Sequence, residues 1–106
     1  MYSKYYRVED YRDKPESLEK VLFDHFPYLV GGEEFWTKSL EAGAGADYEA
    51  IPISEMSNSH LKNALKYISK DYNRFKRVGA GKYTEEVESV FKNKIIELEL
   101  ELKNRK

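Results

Sequence analysis

Two long stretches in the C-terminal half repeat apolar residues at helical spacing, and a Gly-Ala-Gly segment at 79–81 separates them. The first stretch, 57–78, begins at Ser57, whose hydroxyl is suited to cap a helix. Its apolar face comprises Leu61, Ala64, Leu65, Ile68, Tyr72 and Phe75. The second stretch, 84–104, has an inner stripe of Val87, Phe91, Ile95, Leu98 and Leu102. Because the glycines stop the first helix and the connection is short, we predict an αα-hairpin.

The tail "IIELELELK" fits two periods, since its apolar residues alternate with glutamates as they would in a strand. Leucine and glutamate favour helices over strands, which decides for a helix. In that helix Ile96 and Leu100 point away from the inner stripe. These two side chains must then meet a partner or stay exposed.

The N-terminal half mixes helix and strand signals. Residues 13–26 are predicted to be a helix, because Asp13 and Glu16 have the spacing of a capping box. Its helically spaced residues are Leu18, Val21, Leu22, His25 and Phe26. Residues 33–53 read as a β-hairpin whose Gly/Ala-rich tip is mobile, with the second strand at an edge or ending at Pro52. Residues 1–12, rich in tyrosine, are a short strand or an extended arm.

These elements predict an α+β fold: a small antiparallel β-hairpin or sheet packed by about three helices, the last two forming the αα-hairpin. At 106 residues, 1–106 is expected to be a single domain. The chain has no cysteine, no secretory signal and no run near the roughly 20 apolar residues of a membrane span. We therefore expect a cytoplasmic protein that does not enter a membrane.

Charge is distributed unevenly, although the net charge is only −1. Residues 60–82 carry seven basic and one acidic side chain, whereas residues 1–59 carry six basic and twelve acidic. On a helical wheel the cations Lys62, Lys66, Lys70, Arg74 and Arg77 cluster opposite the apolar face of 57–78. This face suits docking to an acidic protein surface or a nucleic-acid backbone, or it is an ordinary solvated face screened by neighbouring glutamates.

Motifs for catalysis, metals and cofactors are weak. The segment "AGAGAD" lacks the glycine pattern of a dinucleotide site and the Gly-Lys-Ser/Thr of a P-loop. His25 and His60 come from different predicted helices, and neither has a strong second ligand one turn away. No serine lies in a nucleophile-elbow pattern. We expect no enzyme activity, no metal and no cofactor.

The stretch 36–68 contains polar and aromatic residues at the hairpin and at the start of the following helix. Trp36 is expected to pack in the core, while His60 bonds the backbone or packs against a ring. Asn63, one turn later, would tie the helix to the hairpin. Together with Met56, these residues are predicted to be structural.

The same stretch can be written W-T, a loop, then I-x-I-x-x-M-x-x-x-H-L-x-N-A-L. This chain supplies Trp36, Thr37, Ile51, Ile53, Met56, His60, Leu61, Asn63, Ala64 and Leu65. The pattern resembles one that recurs in small uncharacterised proteins of tailed bacteriophages and prophages. The resemblance covers 36–68 well and the last helix loosely; the longer Ala/Gly loop and the tyrosine-rich N-terminal part depart from it. It implies a phage accessory protein made in the host cytoplasm and no particular reaction.

The leading functional prediction is stoichiometric binding to a host bacterial protein, such as a defence component that the phage inhibits. Small size and exposed aromatic or apolar residues favour binding. The predicted contact residues, besides the five cations, are Tyr5, Tyr6, Ile96 and Leu100. One alternative is nucleic-acid or nucleotide binding through the basic face of 57–78. Another is self-assembly through the last helix, as in a homo-oligomer or a virion component.

Overall fold

The computed structural model describes residues 4–12, 14–39 and 47–105. Contacts between residues divide the chain into two compact units, Met1–Pro52 and Ile53–Lys106. The first unit holds a small sheet with two short helices, and the second holds two long helices. The predicted α+β class is confirmed, while the single domain stays a prediction.

The sheet of the first unit has three antiparallel strands: β1 (Lys4–Tyr6), β2 (Phe35–Ser39) and β3 (Tyr48–Pro52). Their order is β1-β3-β2, so β3 lies in the middle. The β2–β3 pairing confirms the predicted hairpin, whose tip at 40–46 lies outside the described residues. Strand β3 ends at Pro52, as predicted, because proline has no N–H to donate to a ladder.

The first dozen residues contain more structure than the sequence predicts. Strand β1 pairs along β3 with Tyr5 opposite Glu49, which confirms the strand interpretation. It is followed by a short helix, α1 (Val8–Arg12), that helical periodicity did not reveal. Tyr11 on α1 is buried, and its ring stacks on Phe23 with centroids 4.2 Å apart. A helix of five residues is too short for a helical period to be recognised in the sequence. Packing against other elements stabilises such a helix.

Helix α2 (Leu18–His25) begins later than predicted. Its N-cap is Ser17, whose hydroxyl accepts a hydrogen bond from the Lys20 N–H, so the expected start at Asp13 is wrong. Asp13 itself lies outside the described residues. The buried positions on α2 are Leu22 and Phe23, whereas His25 is exposed and not on the inner face.

A 3₁₀ turn at Pro27–Leu29 ends this helical region, because proline is disfavoured inside an α-helix. It positions Tyr28 against the sheet, where its ring stacks on Trp36 with centroids 5.1 Å apart. Phe23 meets Tyr48 of β3 edge-on at 5.2 Å. Aromatic contacts of this kind therefore form the core of the first unit.

The second unit is an αα-hairpin of α3 (Asn58–Val78) and α4 (Thr84–Asn104), which confirms the prediction closely. Ser57 caps α3 by accepting a hydrogen bond from the His60 N–H at 3.1 Å. Gly79 ends α3 with φ 71° and ψ −168°, a conformation essentially restricted to glycine. The alternating tail is helical, so its leucines and glutamates follow helix propensity.

The two helices run antiparallel and share an apolar seam. Phe91 of α4 lies 5.2 Å from Phe75 and 5.5 Å from Tyr72 of α3, measured between ring centroids. The fully or nearly fully buried apolar residues of the two helices are Leu61, Ala64, Ile68, Phe75, Val87, Phe91 and Leu98. Leu65, Tyr72, Ile95 and Leu102, which we expected on the inner faces, are half-buried.

Two buried charged residues lie at the edges of the apolar faces of these helices, where the apolar pattern had predicted none. Asp71 accepts a hydrogen bond from Arg74 at 2.6 Å, and Lys94 donates to Glu97 at 2.9 Å. Each charge is paired one turn along its own helix, which offsets the cost of removing it from water.

Among the described helices, none is long and apolar enough to cross a membrane.

Candidate functional site

The basic face of α3, defined by Lys62, Lys66, Lys70, Arg74 and Arg77, is the most distinctive surface of the second unit. All five side chains are exposed. Their spacing of three or four residues places them along one side of the helix, opposite Leu61, Ile68 and Phe75. From Lys62 to Arg77 the helix rises roughly 22 Å, at about 1.5 Å per residue.

Most of these cations lack a carboxylate partner. Arg74 pairs with Asp71, which fixes the direction of its guanidinium group. Lys62, Lys66, Lys70 and Arg77 form no ion pair with any residue that the structure describes. Direct ion pairs of these four cations with glutamates are thus not seen in the described part of the chain. Their charge remains available to an anionic partner.

A shallow groove of about 310 Å³ lies within the basic face. Its lining residues are Tyr67, Lys70, Asp71, Arg74 and Arg77. Tyr67 is 58% exposed, and Val78 at the end of α3 is 73% exposed. The groove therefore combines positive charge with an exposed aromatic ring, and Val78 follows its lining residue Arg77 in the chain.

The side chains of the groove can recognise anionic and aromatic groups. The guanidinium groups can each donate several hydrogen bonds to a carboxylate or phosphate. The Tyr67 ring offers a flat apolar surface with a polar tip, which suits either a protein interface or a nucleobase. Asp71 keeps Arg74 in place and is itself buried, so it is a positioning residue.

The outward residues of α4 are placed as the sequence predicts. Ile96 and Leu100 are each 52% exposed and lie one turn apart. The rotation of the helix puts Ile96 opposite the buried Val87, Phe91 and Leu98. They form a small apolar patch on the outside of the hairpin.

The two N-terminal tyrosines differ in placement. Tyr5 is 52% exposed, and its hydroxyl donates a hydrogen bond to the Asp47 carboxylate. This hydrogen bond raises the pKa of Tyr5 above its ordinary value, because ionisation would place two negative oxygens together. Tyr6 is half-buried, with its ring 6.0 Å from that of Tyr11. Tyr5 is thus the more accessible of the two predicted contact residues.

The residues predicted to be structural also differ from one another. Trp36 and Met56 are buried, at 6% and 3% exposure, which fits a packing role. His60 is half-buried in the first turn of α3. Asn63 is exposed and makes no hydrogen bond within the described residues, which differs from the role predicted for it. Helical geometry places Asn63 beside the basic face, about 100° from Lys62.

The described residues hold no group of three or more His, Cys, Asp or Glu side chains that could bind a metal ion. His25 is exposed on α2. Of the segment considered for phosphate binding, residues 42–47, all but Asp47 lie outside the described residues.

Sequence reasoning identified the cations but missed the groove between them. Tyr67 lies on the flank of the basic face, and its exposure could not be read from its position in the sequence alone. Asp71 interrupts a run of basic residues, and its spacing of three from Arg74 was the signal for a positioning pair. Val78 is the last residue of α3, directly before Gly79, and its side chain is exposed.

Comparison of the chain with protein-family models, with curated proteins and with solved structures finds no match.

Proposed function

We propose that this chain is a phage-encoded accessory protein that acts by stoichiometric binding to a host protein, with the basic face of α3 as its contact surface. The phage origin and the host cytoplasm as its location rest on the resemblance of residues 36–68. The target class is a bacterial defence component or another host protein whose activity the phage redirects. Catalysis is no part of the proposal.

The observation that carries the proposal is the basic face itself, with four cations that no described carboxylate pairs and Tyr67 exposed among them. Tyrosine and arginine are enriched among the residues that dominate binding energy at protein interfaces. Long-range attraction between this face and an acidic partner surface would raise the association rate. An acidic protein is therefore the favoured partner.

Val78 and Asp71 favour a protein over a nucleic acid. Val78 is 73% exposed, and an exposed aliphatic side chain gains by packing on a protein but contributes little to a phosphate backbone. Asp71 places a carboxylate within the groove, where it would weaken attraction to closely spaced phosphates. Both residues are compatible with a partner that presents a few carboxylates around an apolar centre.

The test is affinity capture from lysate of the bacterial host, followed by calorimetry with the purified partner. We expect the parent chain and Lys38→Glu to retain one partner at a ratio of one to one. Lys38 is exposed on β2 of the first unit, so its reversal makes the same charge change outside α3. Lys66→Glu and Arg77→Glu should each weaken binding about tenfold, and both leave the Arg74–Asp71 pair intact. Equal retention by all four chains would remove the basic face from the proposal.

A second candidate is binding of a single-stranded nucleic acid, which Tyr67 favours because an exposed ring beside Lys70 can stack on a base. This candidate predicts that affinity for a labelled oligonucleotide falls steeply with salt concentration. Tyr67→Ala and Lys66→Glu should both weaken such binding. Absence of binding at low salt would reject it.

A further inference from the structure

The outer stripe of α4, formed by Lys92, Ile96, Glu99 and Leu100, carries a charge pattern that complements itself. Ile96 and Leu100 are each 52% exposed, and Lys92 and Glu99 are exposed beside them. On the helical wheel Lys92 and Glu99 fall on the same edge of the stripe, about 40° and 60° from Ile96. One lies a turn before Ile96 and the other a turn after it.

Lys92 and Glu99 are too far apart along the helix to form an ion pair with each other within one chain. Seven residues separate them, which is about 10.5 Å along a helix axis. Neither forms an ion pair in the part of the chain that the structure describes. Both charges therefore flank an exposed apolar pair without an intramolecular partner there.

We propose that α4 pairs with α4 of a second copy of this chain in an antiparallel homodimer centred on Ile96. A two-fold axis beside Ile96 brings Leu100 of each copy onto the partner stripe. The same operation brings Lys92 of each copy to Glu99 of the other, which makes two ion pairs at the edge of the apolar contact. Such a contact is self-complementary, as two-fold symmetry requires.

The charge pattern selects the antiparallel arrangement. In an antiparallel helix pair each edge of the stripe meets the same edge of the partner in the reverse direction, so Lys92 meets Glu99. In a parallel pair the edge would meet the opposite edge, where Asn93 and Leu100 offer no charge to Lys92. The antiparallel pair therefore brings Lys92 to Glu99, and the parallel pair does not.

The interface is small, so the dimer is expected to be weak. Two apolar side chains per copy bury far less area than a stable complex does, and association must also offset lost rotational and translational freedom. We expect a dissociation constant on the order of 100 μM, in the range of transient contacts. This inference concerns α4 and does not depend on the proposed role of α3.

Sedimentation equilibrium over a range of concentrations of the full chain tests the dimer. We expect Leu100→Lys to weaken dimerisation about tenfold or more, because it places a charge in the apolar contact. Lys92→Glu and Glu99→Lys should each weaken it about tenfold, because each replaces two attractions by two repulsions. Lys38→Glu should leave it unchanged. Circular dichroism checks that each variant stays folded.

Mixing the two charge variants gives the sharpest outcome. An equimolar mixture of Lys92→Glu and Glu99→Lys should form heterodimers with about the parental affinity, and so should the double variant as a homodimer. A chain that stays monomeric up to about ten times the expected dissociation constant would overturn the inference. A dimer that tolerates Leu100→Lys, or a mixture that fails to recover, would also overturn it.

Discussion

Thr37 on β2 has a buried hydroxyl group that lacks a hydrogen-bond partner among the described residues. It is 3% exposed, and its hydroxyl oxygen has no hydrogen-bond partner among the described residues. Gly31 approaches it so closely that an added Cβ would lie 2.8 Å from the hydroxyl oxygen. An unpaired buried hydroxyl costs free energy that an apolar side chain of the same shape does not.

Thr37→Val is therefore expected to raise the free energy of unfolding by about 1 kcal/mol. Valine has nearly the shape of threonine and a high strand propensity, so the packing against Gly31 is preserved. Urea denaturation followed by circular dichroism measures the change. Thr37→Ser is the control, because it keeps the hydroxyl and loses a methyl group, and it should lower stability by about 1 kcal/mol. Equal losses in both variants would show that the hydroxyl has a partner.

At the scale of elements, Arg105 closes the open end of the αα-hairpin. Its guanidinium group donates hydrogen bonds to the carbonyl oxygens of Met56, Ser54 and Ile53 at 2.5, 3.1 and 3.2 Å. It also donates to the Asn58 side chain at 3.0 Å and to Glu101 at 2.7 Å. The last residue of the described chain thus ties the end of α4 to the segment before α3.

Arg105→Lys is expected to lower the free energy of unfolding of the hairpin by about 1–3 kcal/mol. A lysine ammonium cannot reproduce the planar fork that reaches several carbonyl oxygens at once. Thermal and urea denaturation of the full chain measure the loss. Lys103→Ala, which changes an exposed cation in the same turn of α4, should shift stability by no more than about 0.5 kcal/mol. Similar behaviour of the two variants would mean that the contacts of Arg105 contribute nothing.

At the scale of the whole molecule, three tyrosines favour their neutral form in the folded chain. Burial raises the pKa of Tyr11 to about 12. Burial, reinforced by a hydrogen bond to Glu88, also raises the pKa of Tyr72. Tyr5 shifts in the same direction through Asp47. Each hydroxyl holds its proton more tightly in the folded chain than in the unfolded one.

Stability should therefore fall in alkali. Below about pH 10 the tyrosines are protonated in both the folded and the unfolded state, so they do not make the free energy of unfolding depend on pH. Between about pH 10 and 12 the folded state binds more protons, so the free energy of unfolding decreases as pH rises. Urea denaturation across this range should show the decrease, and Tyr11→Phe should make it shallower. A parent chain and Tyr11→Phe with the same slope would contradict the assignment to Tyr11.

The sequence predicts which cations form the candidate surface, but it does not predict the groove between their side chains. Lys62, Lys66 and Lys70 follow from a four-residue period, which needs no tertiary information. The groove beside Tyr67 and the pairing of Arg74 with Asp71 depend on side-chain directions that a helical wheel does not contain. The exposure of Ile96 and Leu100 was foreseen because both fall opposite a well-defined inner stripe.

Short-range sequence features account for α3, α4 and the turn between them. Ser57 satisfies free N–H groups at one end, and Gly79 adopts a backbone conformation that other residues avoid at the other. The apolar period connects these two signals over 21 residues. Because each signal acts within a few residues of itself, sequence alone was sufficient for the αα-hairpin.

Strand β1, helix α1 and the late start of α2 depend instead on contacts between residues far apart in the chain. Strand β1 exists as part of a sheet because β3 pairs with it, and the short α1 carries Tyr11 onto Phe23. Asp71 and Lys94 became inner residues because a charge at the edge of an apolar face is tolerated once it is paired. Such energies arise between segments, so they are absent from any local pattern and emerge only when the chain is folded.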